Sequence, residues 1–293
     1  MPTIFPVVRI SLKNILVPED FSSTSNAALQ FVATFARSYG STVWLAHVIP
    51  PEPHLPVPLE PMPLAYDRER EIAIRKLSKI EQELKGELAA IETVVERGAL
   101  EHVIPQFIEE HEIDLVVLGT HGRRGLGKVV LGSEAEQIYR AASCPVLTIG
   151  PKVQKAADWK LRRILVAVDL AEDPDRIVHY ALSLAEEHQA ELLLVHAVPM
   201  APWQHRPLIE ERAFTALKAL VPADAFDWCE PQCLVRWEHP AQAILAAAEE
   251  RQSDLIVMGV HRARVARLSS HLPWPIAAEV VSRAPSPVLT VRV

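Results

Sequence analysis

The sequence of 293 residues contains few cysteines and no long hydrophobic run. Its three cysteines, Cys144, Cys229 and Cys233, are too few for a disulfide framework and are typical of a reducing compartment, so we expect a cytoplasmic protein. No apolar stretch approaches the roughly 20 residues that cross a bilayer. The opening segment MPTIFPVVRISLKN also lacks the basic and apolar regions of a signal peptide. We therefore expect no membrane partner.

The chain also has fewer basic than acidic residues, 30 against 37. The formal net charge is −7, with 49% hydrophobic and 23% charged residues. An acidic chain lacks the electrostatic footprint that binds nucleic acid, so no nucleic-acid partner is expected. The composition is that of an ordinary globular protein and excludes collagen, coiled coil and disorder. The length suits one large domain or two of about 100–200 residues.

Glycine is scarce and unevenly distributed. Five of the ten glycines lie between residues 119 and 132, and only Gly259 lies beyond residue 150. Glycine is required where the backbone takes a positive φ or comes close to a ligand. We therefore expect the functional site near residues 119–132.

The chain contains an internal repeat. Residues 13–51 align with residues 162–200 without a gap, and Asp20 and His47 fall on Asp169 and His196. The segment DLVVLGTH at 114–121 likewise matches DLIVMGVH at 254–261, and CPVLTI at 144–149 matches SPVLTV at 286–291. The repeat predicts two homologous domains, 1–155 and 156–293.

Short apolar runs alternate with helical patterns in each half. Leu77, Ile80, Leu84 and Leu88 follow helical spacing, and a further helix is expected over 133–142. Runs that are apolar throughout indicate strands buried on both faces of a parallel sheet. The expected strands of the first half are 14–17, 42–49, 91–96, 115–119 and 146–149. This order predicts an α/β fold with two tandem, doubly wound, five-stranded parallel-sheet domains.

The glycine-rich segment GTHGRRGLGKVVLGS joins an expected strand to an expected helix. Glycines at 119 and 122 let the loop turn sharply and bring backbone N–H groups to an anion. Ser133 stands at the start of the helix, and Glu136 three residues later completes a capping-box pattern. The helix dipole favours an anion there, and Arg123, Arg124 and Lys128 add positive charge inside or beside the loop. The segment is interpreted as a phosphate-binding loop; the alternative is a glycine-rich connector with solvated basic residues.

Residues at the ends of the first two strands extend this hypothesis. Parallel strands present their carboxyl ends at one edge of the sheet, so Asp20 should face the same crevice as Gly119. A carboxylate there can hold a ribose hydroxyl or a metal ion that bridges phosphates. Asp20 can also cap the following helix together with Ser22, and both roles can hold at once. The Val48 backbone is suited to pairing with a base edge, whereas His47 is interpreted as a structural histidine.

The segments ILVPEDFS, HVIPP, DLVVLGTHGRRGLGKVVLGSEAEQI and CPVLTI resemble the universal stress protein family in its tandem two-domain form. The resemblance implies a Rossmann-like sheet of the adenine nucleotide alpha hydrolase type and ATP as ligand, together with Mg²⁺. It also implies pairing of the two domains through their last strands and a homodimer. The implied nucleotide contacts are Pro18, Asp20, Val48, Gly119, Gly122, Arg123, Gly132, Ser133 and Glu134. Asp20 is the candidate Mg²⁺ contact.

The second half departs from the glycine pattern. Gly259 matches Gly119, but Arg262 replaces the next glycine, and Leu272-Pro273-Trp274-Pro275 stands where Gly132–Ser133 is expected. Side chains fill the space of a phosphate there, and proline removes backbone donors. We expect that the second domain does not bind ATP in the family manner. Its histidines at 196, 239, 261 and 271 leave a metal or other ligand open, although no ligand spacing supports one.

The leading functional hypothesis is a non-catalytic, ATP-binding stress-response regulator whose first domain alone holds the nucleotide. The alternatives are a slow ATPase or phosphotransferase and a nucleotide-free interaction protein. The enzyme hypothesis lacks a positioned general base in the loop and a P-loop of the GxxxxGK[ST] type.

Overall fold

The structure is a computed structural model that describes residues 10–51, 62–120, 133–154, 159–198, 205–260 and 274–292. The described chain divides into two compact units: one holds residues 11–120 and 133–147, and the other holds residue 10 together with the described residues from Thr148 onward. No helix of the described residues is long and apolar enough to cross a membrane.

The first repeat alternates strands and helices. Its elements are β1 (Asn14–Pro18), α1 (Ser23–Tyr39), β2 (Thr42–Ile49), α2 (Met62–Leu84), β3 (Ala90–Arg97), α3 (Leu100–Glu110), β4 (Leu115–Gly119), α4 (Ser133–Ala141) and β5 (Val146–Ile149). The strand order is β3-β2-β1-β4-β5. Strand β1 lies parallel to β2 and β4, with Asn14 opposite Thr42 and Ile15 opposite Leu115, and β2 lies parallel to β3. The predicted α/β fold is confirmed.

The second repeat follows the same plan. Its elements are β6 (Arg163–Ala167), α5 (Asp175–His188), β7 (Glu191–Ala197), α6 (Arg206–Ala219), a 3₁₀ helix (Ala223–Asp227), β8 (Gln232–Arg236), α7 (Pro240–Glu250), β9 (Leu255–Val260), α8 (Trp274–Arg283) and β10 (Val288–Arg292). The strand order is β10-β9-β6-β7-β8, and the neighbouring strands pair in parallel.

The central strands form because their side chains are apolar on both faces. The middle residues of β1, Ile15, Leu16 and Val17, are fully buried, as is Val116 of β4. Such strands are stable only where helices cover both faces of the sheet, which is the arrangement of a doubly wound fold. The core therefore holds the carboxyl ends of β1 and β4 at fixed positions.

Helix α2 ends earlier than its apolar spacing predicts. The expected helix included Leu88, but α2 stops at Leu84. Gly86 has φ +110°, a left-handed conformation that a helix cannot contain. The last apolar position of the pattern therefore lies outside the helix.

The two repeats anchor their first strand in the same way. Asp114 Oδ2 accepts the backbone N–H groups of Lys13 at 2.6 Å and Asn14 at 3.0 Å. Asp254 Oδ2 accepts those of Arg162 at 3.0 Å and Arg163 at 2.8 Å. Each carboxylate ties the start of the first strand to the strand beside it.

We expect Asp114→Ala to lower the free energy of unfolding by about 1–3 kcal/mol, because two backbone donors lose a charged acceptor. Urea denaturation of the full chain measures the change. The control is Glu71→Ala, which removes an exposed carboxylate from α2 and should shift stability by less than about 0.5 kcal/mol. Equal effects of the two variants would show that Asp114 does not anchor β1.

Candidate functional site

A cavity of about 480 Å³ opens at the carboxyl ends of β1, β2 and β4 in the first repeat. The turn between β3 and α3 and the first turns of α4 complete its wall. Its lining residues are Pro18, Glu19, Asp20, Ser25, Ala46, His47, Val48, Pro50, Pro51, Gly98, Ala99, Leu100, Leu118, Gly119, Glu134, Ala135, Gln137 and Ile138. Ligands of doubly wound sheets bind at this edge, where the strand order reverses.

Residues predicted from the sequence as ligand contacts meet in this cavity. The lining includes Pro18, Asp20, Val48, Gly119 and Glu134. Ser133 is the first residue of α4. Gly122, Arg123 and Gly132 lie outside the described residues. Residues more than 100 positions apart in the sequence thus share one cavity, and their role as nucleotide contacts stays a prediction.

Asp20 and Ser22 shape the turn that follows β1. Asp20 Oδ1 accepts the N–H of Ser22 at 2.9 Å, and Ser22 Oγ caps α1 by accepting the N–H of Ser25 at 3.2 Å. The helix cap is therefore Ser22, whereas Asp20 closes the turn before it. One carboxylate oxygen of Asp20 accepts this hydrogen bond, and the residue also lines the cavity.

Packing inside the first repeat requires glycine at position 119. Its φ is not left-handed, so the sharp-turn role expected of it does not apply at this residue. A Cβ atom at Gly119 would lie 2.1 Å from the backbone oxygen of Thr24 and 2.5 Å from the Thr24 carbonyl carbon. The absence of a side chain lets the start of α1 pack directly on the end of β4.

Helix α4 points its N-terminus toward the cavity. Glu134 and Ala135, in its first turn, border the space. The unpaired N–H groups of a helix N-terminus carry partial positive charge and favour an anion. Glu136 forms an ion pair with Arg140 at 2.8 Å, one turn along the helix.

His47 is held by the backbone of the turn after β1. Its Nδ1 lies 2.7 Å from the carbonyl oxygen of Glu19 and donates to it, because a carbonyl only accepts. Phe21, with φ +61°, places its ring 4.6 Å from the His47 ring, and Lys76 Nζ lies 4.6 Å from the Phe21 ring centre. His47 thus has the structural role that the sequence indicated, at the wall of the cavity.

Glu19 is the cavity residue that sequence reasoning missed. Its side chain is only 3% exposed, and Ser25 Oγ donates a hydrogen bond to its Oε2 at 2.7 Å. Burial, with a smaller contribution from the neighbouring Asp20 charge, raises the pKa of Glu19 to about 7. The available signal was an acidic residue directly after a buried strand, at a position where the second repeat has Val168.

The described residues contain no cluster of metal ligands. In that part of the chain, no three His, Cys, Asp or Glu side chains come together as a metal site requires. Burial raises the pKa of Cys229 to about 11 and also raises that of Cys233, so both thiols stay protonated near neutral pH.

The second repeat has a smaller cavity at the equivalent place. Its volume is about 160 Å³, and Asp169, His196 and Gly259 line it. His196 Nδ1 lies 2.8 Å from the carbonyl oxygen of Val168, as His47 does from that of Glu19. Ile177 and Pro174 border this cavity at positions where the first repeat has Ala28 and Ser25. Larger apolar side chains thus line this cavity than line the equivalent place in the first repeat. Residues 261–273, which include His261, Arg262 and His271, lie outside the described residues.

In comparison with known proteins, both repeats match one protein family. The model of the universal stress protein family matches residues 11–150 and 160–292. A universal stress protein of Mycolicibacterium smegmatis is 27% identical, over 95% of this chain and 96% of its own length. Universal stress protein MJ0531 of Methanocaldococcus jannaschii is 30% identical, over 47% of this chain and 81% of its own. The crystal structure of a universal stress protein from Archaeoglobus fulgidus superposes with a TM-score of 0.72 at 20% identity, covering 97% of this chain and 99% of that one.

Proposed function

Because the chain belongs to the universal stress protein family, we propose that it binds ATP in its first domain and acts as a non-catalytic stress-response regulator. The observation that carries this proposal is the cavity at the ends of β1, β2 and β4. Five residues that the family resemblance marks as nucleotide contacts line it: Pro18, Asp20, Val48, Gly119 and Glu134.

The size of the cavity supports a ligand of nucleotide size. Small-molecule and cofactor sites typically enclose about 300–1,000 Å³. The first cavity, at about 480 Å³, falls in this range, and the second, at about 160 Å³, falls below it. This difference supports nucleotide binding by the first domain only.

The lining offers suitable chemistry for each part of a nucleotide. The apolar wall of Val48, Leu100 and Leu118 suits a base, and the N-terminus of α4 suits phosphate oxygens. Asp20 suits a Mg²⁺ ion, because Mg²⁺ is commonly held by one or two carboxylates together with substrate phosphates. The ion supplies charge neutralisation of the phosphates when bound.

We expect Asp20→Asn to weaken ATP binding by about 10- to 100-fold, because it removes a charge-assisted contact worth about 1.5–3 kcal/mol. The matched control is Asp169→Asn. Asp169 Oδ1 accepts the N–H of Ala171 at 3.0 Å, as Asp20 does that of Ser22, so the two substitutions disturb equivalent turns. Calorimetric titration of the full chain with MgATP measures both, and Asp169→Asn should bind as the wild type does.

Three results would contradict the proposal. Failure of the wild type to bind ATP removes the nucleotide assignment. Weaker binding by Asp169→Asn than by Asp20→Asn moves the nucleotide to the second domain. Phosphate release by the wild type, well above that of Asp20→Asn, replaces the regulator with an ATPase.

The proposal also includes the domain limits 1–155 and 156–293, a homodimer and a cytoplasmic location. The domain limits follow from the sequence repeat, the homodimer from the family resemblance and the cytoplasmic location from the low cysteine content. Light scattering of the purified chain tests the homodimer.

A further inference from the structure

The turn after β1 contains a bulky residue in a left-handed backbone conformation. Phe21 has φ +61°. Glycine takes such a φ readily, whereas a residue with a large side chain is strained there. Strained residues persist only where the surrounding structure holds them, and they concentrate at ligand sites. Phe21 directly follows Asp20, which lines the first cavity, so the strain lies at the edge of the candidate site.

The internal repeat shows that the fold itself does not require this strain. Each of the other described non-glycine residues with a left-handed φ aligns with a left-handed residue in the other repeat. These aligned pairs are Gly40 with Gln189 and Glu112 with Gln252. Phe21 aligns instead with Leu170, which has no left-handed φ. The strain at Phe21 therefore belongs to the first repeat alone.

The hydrogen bonds that close this turn are the same in both repeats. Asp20 Oδ1 accepts the N–H of Ser22 at 2.9 Å, and Asp169 Oδ1 accepts that of Ala171 at 3.0 Å. In each repeat, the histidine near the end of the second strand also bonds the carbonyl oxygen of the residue before this aspartate, at 2.7 and 2.8 Å. These bonds do not explain the left-handed φ, and what differs is the side chain between them.

Two contacts hold the aromatic ring of Phe21. Its centre lies 4.6 Å from that of the His47 ring, at an angle of 35° between the ring planes, and 4.6 Å from Lys76 Nζ of α2. Ring stacking and cation–π attraction both require an aromatic side chain, so leucine supplies neither. His47 lines the cavity, whereas Phe21 lies outside its described lining. The ring thus acts on the wall of the cavity from behind.

We propose that Phe21 is a positioning residue for the nucleotide: its ring, held by His47 and Lys76, keeps the turn left-handed and thereby fixes Asp20 in the cavity wall. This inference rests on the proposed function and adds to it the element that orients Asp20. A turn that is fixed before the ligand arrives loses less conformational freedom on binding, which raises affinity. The second repeat has leucine at this position, beside its smaller cavity.

The test is a calorimetric titration of the full chain with MgATP. Phe21→Leu, which introduces the residue of the second repeat, should raise the Kd about tenfold, as expected when the turn holds Asp20 correctly in about one tenth of the molecules. Phe21→Tyr keeps the ring and both of its contacts and should bind as the wild type does. Phe226→Leu is the matched control, because it makes the same change at an exposed residue of the second repeat and should leave the Kd unchanged.

A double-mutant cycle with Asp20→Asn separates positioning from a general effect on the fold. Asparagine keeps the side-chain oxygen that closes the turn and loses the charge. Because Phe21 acts through Asp20, Phe21→Leu should raise the Kd about tenfold in the wild-type background and less than about twofold in the Asp20→Asn background. A purely structural role of Phe21 would give the same loss in both backgrounds.

Lys76→Gln supplies a second variant at an exposed residue. It removes the cation from the Phe21 ring and leaves the stacking on His47 in place. The Kd should rise about threefold, as expected for the loss of one exposed cation–π contact. If Phe21→Leu does not fold, Lys76→Gln decides, and an unchanged Kd then overturns the role of Phe21.

The outcomes separate the two proposals. Absence of ATP binding by the wild type overturns the proposed function, and the inference about Phe21 with it. Binding by the wild type with an unchanged Kd for Phe21→Leu overturns the role of Phe21 alone and leaves the nucleotide site intact. The same holds if the loss is equal in both backgrounds of the cycle, or if Phe21→Tyr binds as weakly as Phe21→Leu.

Discussion

Gly119→Ala should lower the free energy of unfolding by about 3 kcal/mol, at the upper end of the cost of overpacking a core. The added Cβ would lie 2.1 Å from the Thr24 backbone oxygen and 2.9 Å from the Ser25 nitrogen. Backbone atoms cannot rotate away as a side chain can, so α1 and β4 must separate. Urea denaturation of the full chain measures the loss.

Gly40→Ala is the matched control, since it makes the same chemical change without a clash. Gly40 ends α1 with φ +64°, and a Cβ atom there would meet nothing within 4 Å. Its cost is the left-handed backbone alone, about 1 kcal/mol. Gly119→Ala should cost clearly more. An equal or smaller cost would mean that the contact between Thr24 and Gly119 is not tight in solution.

Because Gly119 lines the cavity, the same substitution should also change the ligand site. Gly119 and Ser25 both line the cavity, so separation of α1 from β4 moves two of its walls. We expect the variant to lose ATP affinity together with stability. Gly40→Ala, which lies at the far end of α1, should keep its affinity.

The second large effect is a dependence of stability on pH that Glu19 controls. Burial raises the pKa of Glu19 from 4.5 to about 7, so the folded chain holds a proton that the unfolded chain releases above about pH 4.5. The free energy of unfolding therefore falls as pH rises from 4.5 to 7 and levels off above. Between pH 5 and pH 8, this contribution is about 2–3 kcal/mol.

Glu19→Gln should abolish this contribution, because a glutamine has no proton to lose. Denaturation curves at pH 5 and pH 8 measure it: the variant should be more stable than wild type at pH 8 by about 2–3 kcal/mol and differ by less than about 1 kcal/mol at pH 5. Glu92→Gln, which neutralises an exposed glutamate of β3, should follow the wild type at both values. Parallel pH profiles for Glu19→Gln and wild type would show that Glu19 titrates normally in the folded state.

By this reasoning, Glu19 is expected to lower the stability of the fold at neutral pH. The second repeat has the apolar Val168 at the equivalent position, and Val168 is buried. An apolar residue is the choice that stability favours there. The first repeat instead has a carboxyl group at this position, in the lining of the larger cavity.

Much of the fold was predictable from local patterns. The strands at 42–49, 115–119 and 146–149 have the predicted limits, because runs of apolar residues bounded by polar ones specify buried strands directly. The end of α2 was not predictable from apolar spacing, since Leu88 continues the period beyond the point where Gly86 breaks the backbone. Spacing reports which residues favour burial, whereas the limits of a helix depend on backbone conformation.

The sequence alone determined the repeat, the parallel α/β architecture and the five predicted residues that share a cavity, because residues that follow parallel strands must meet at one edge of the sheet. Only the tertiary structure decided that Glu19 is buried, that Thr24 requires glycine at position 119, and that the two cavities differ threefold in volume. Burial, close approach and cavity volume depend on distances between segments far apart in the chain. Local sequence patterns do not contain those distances.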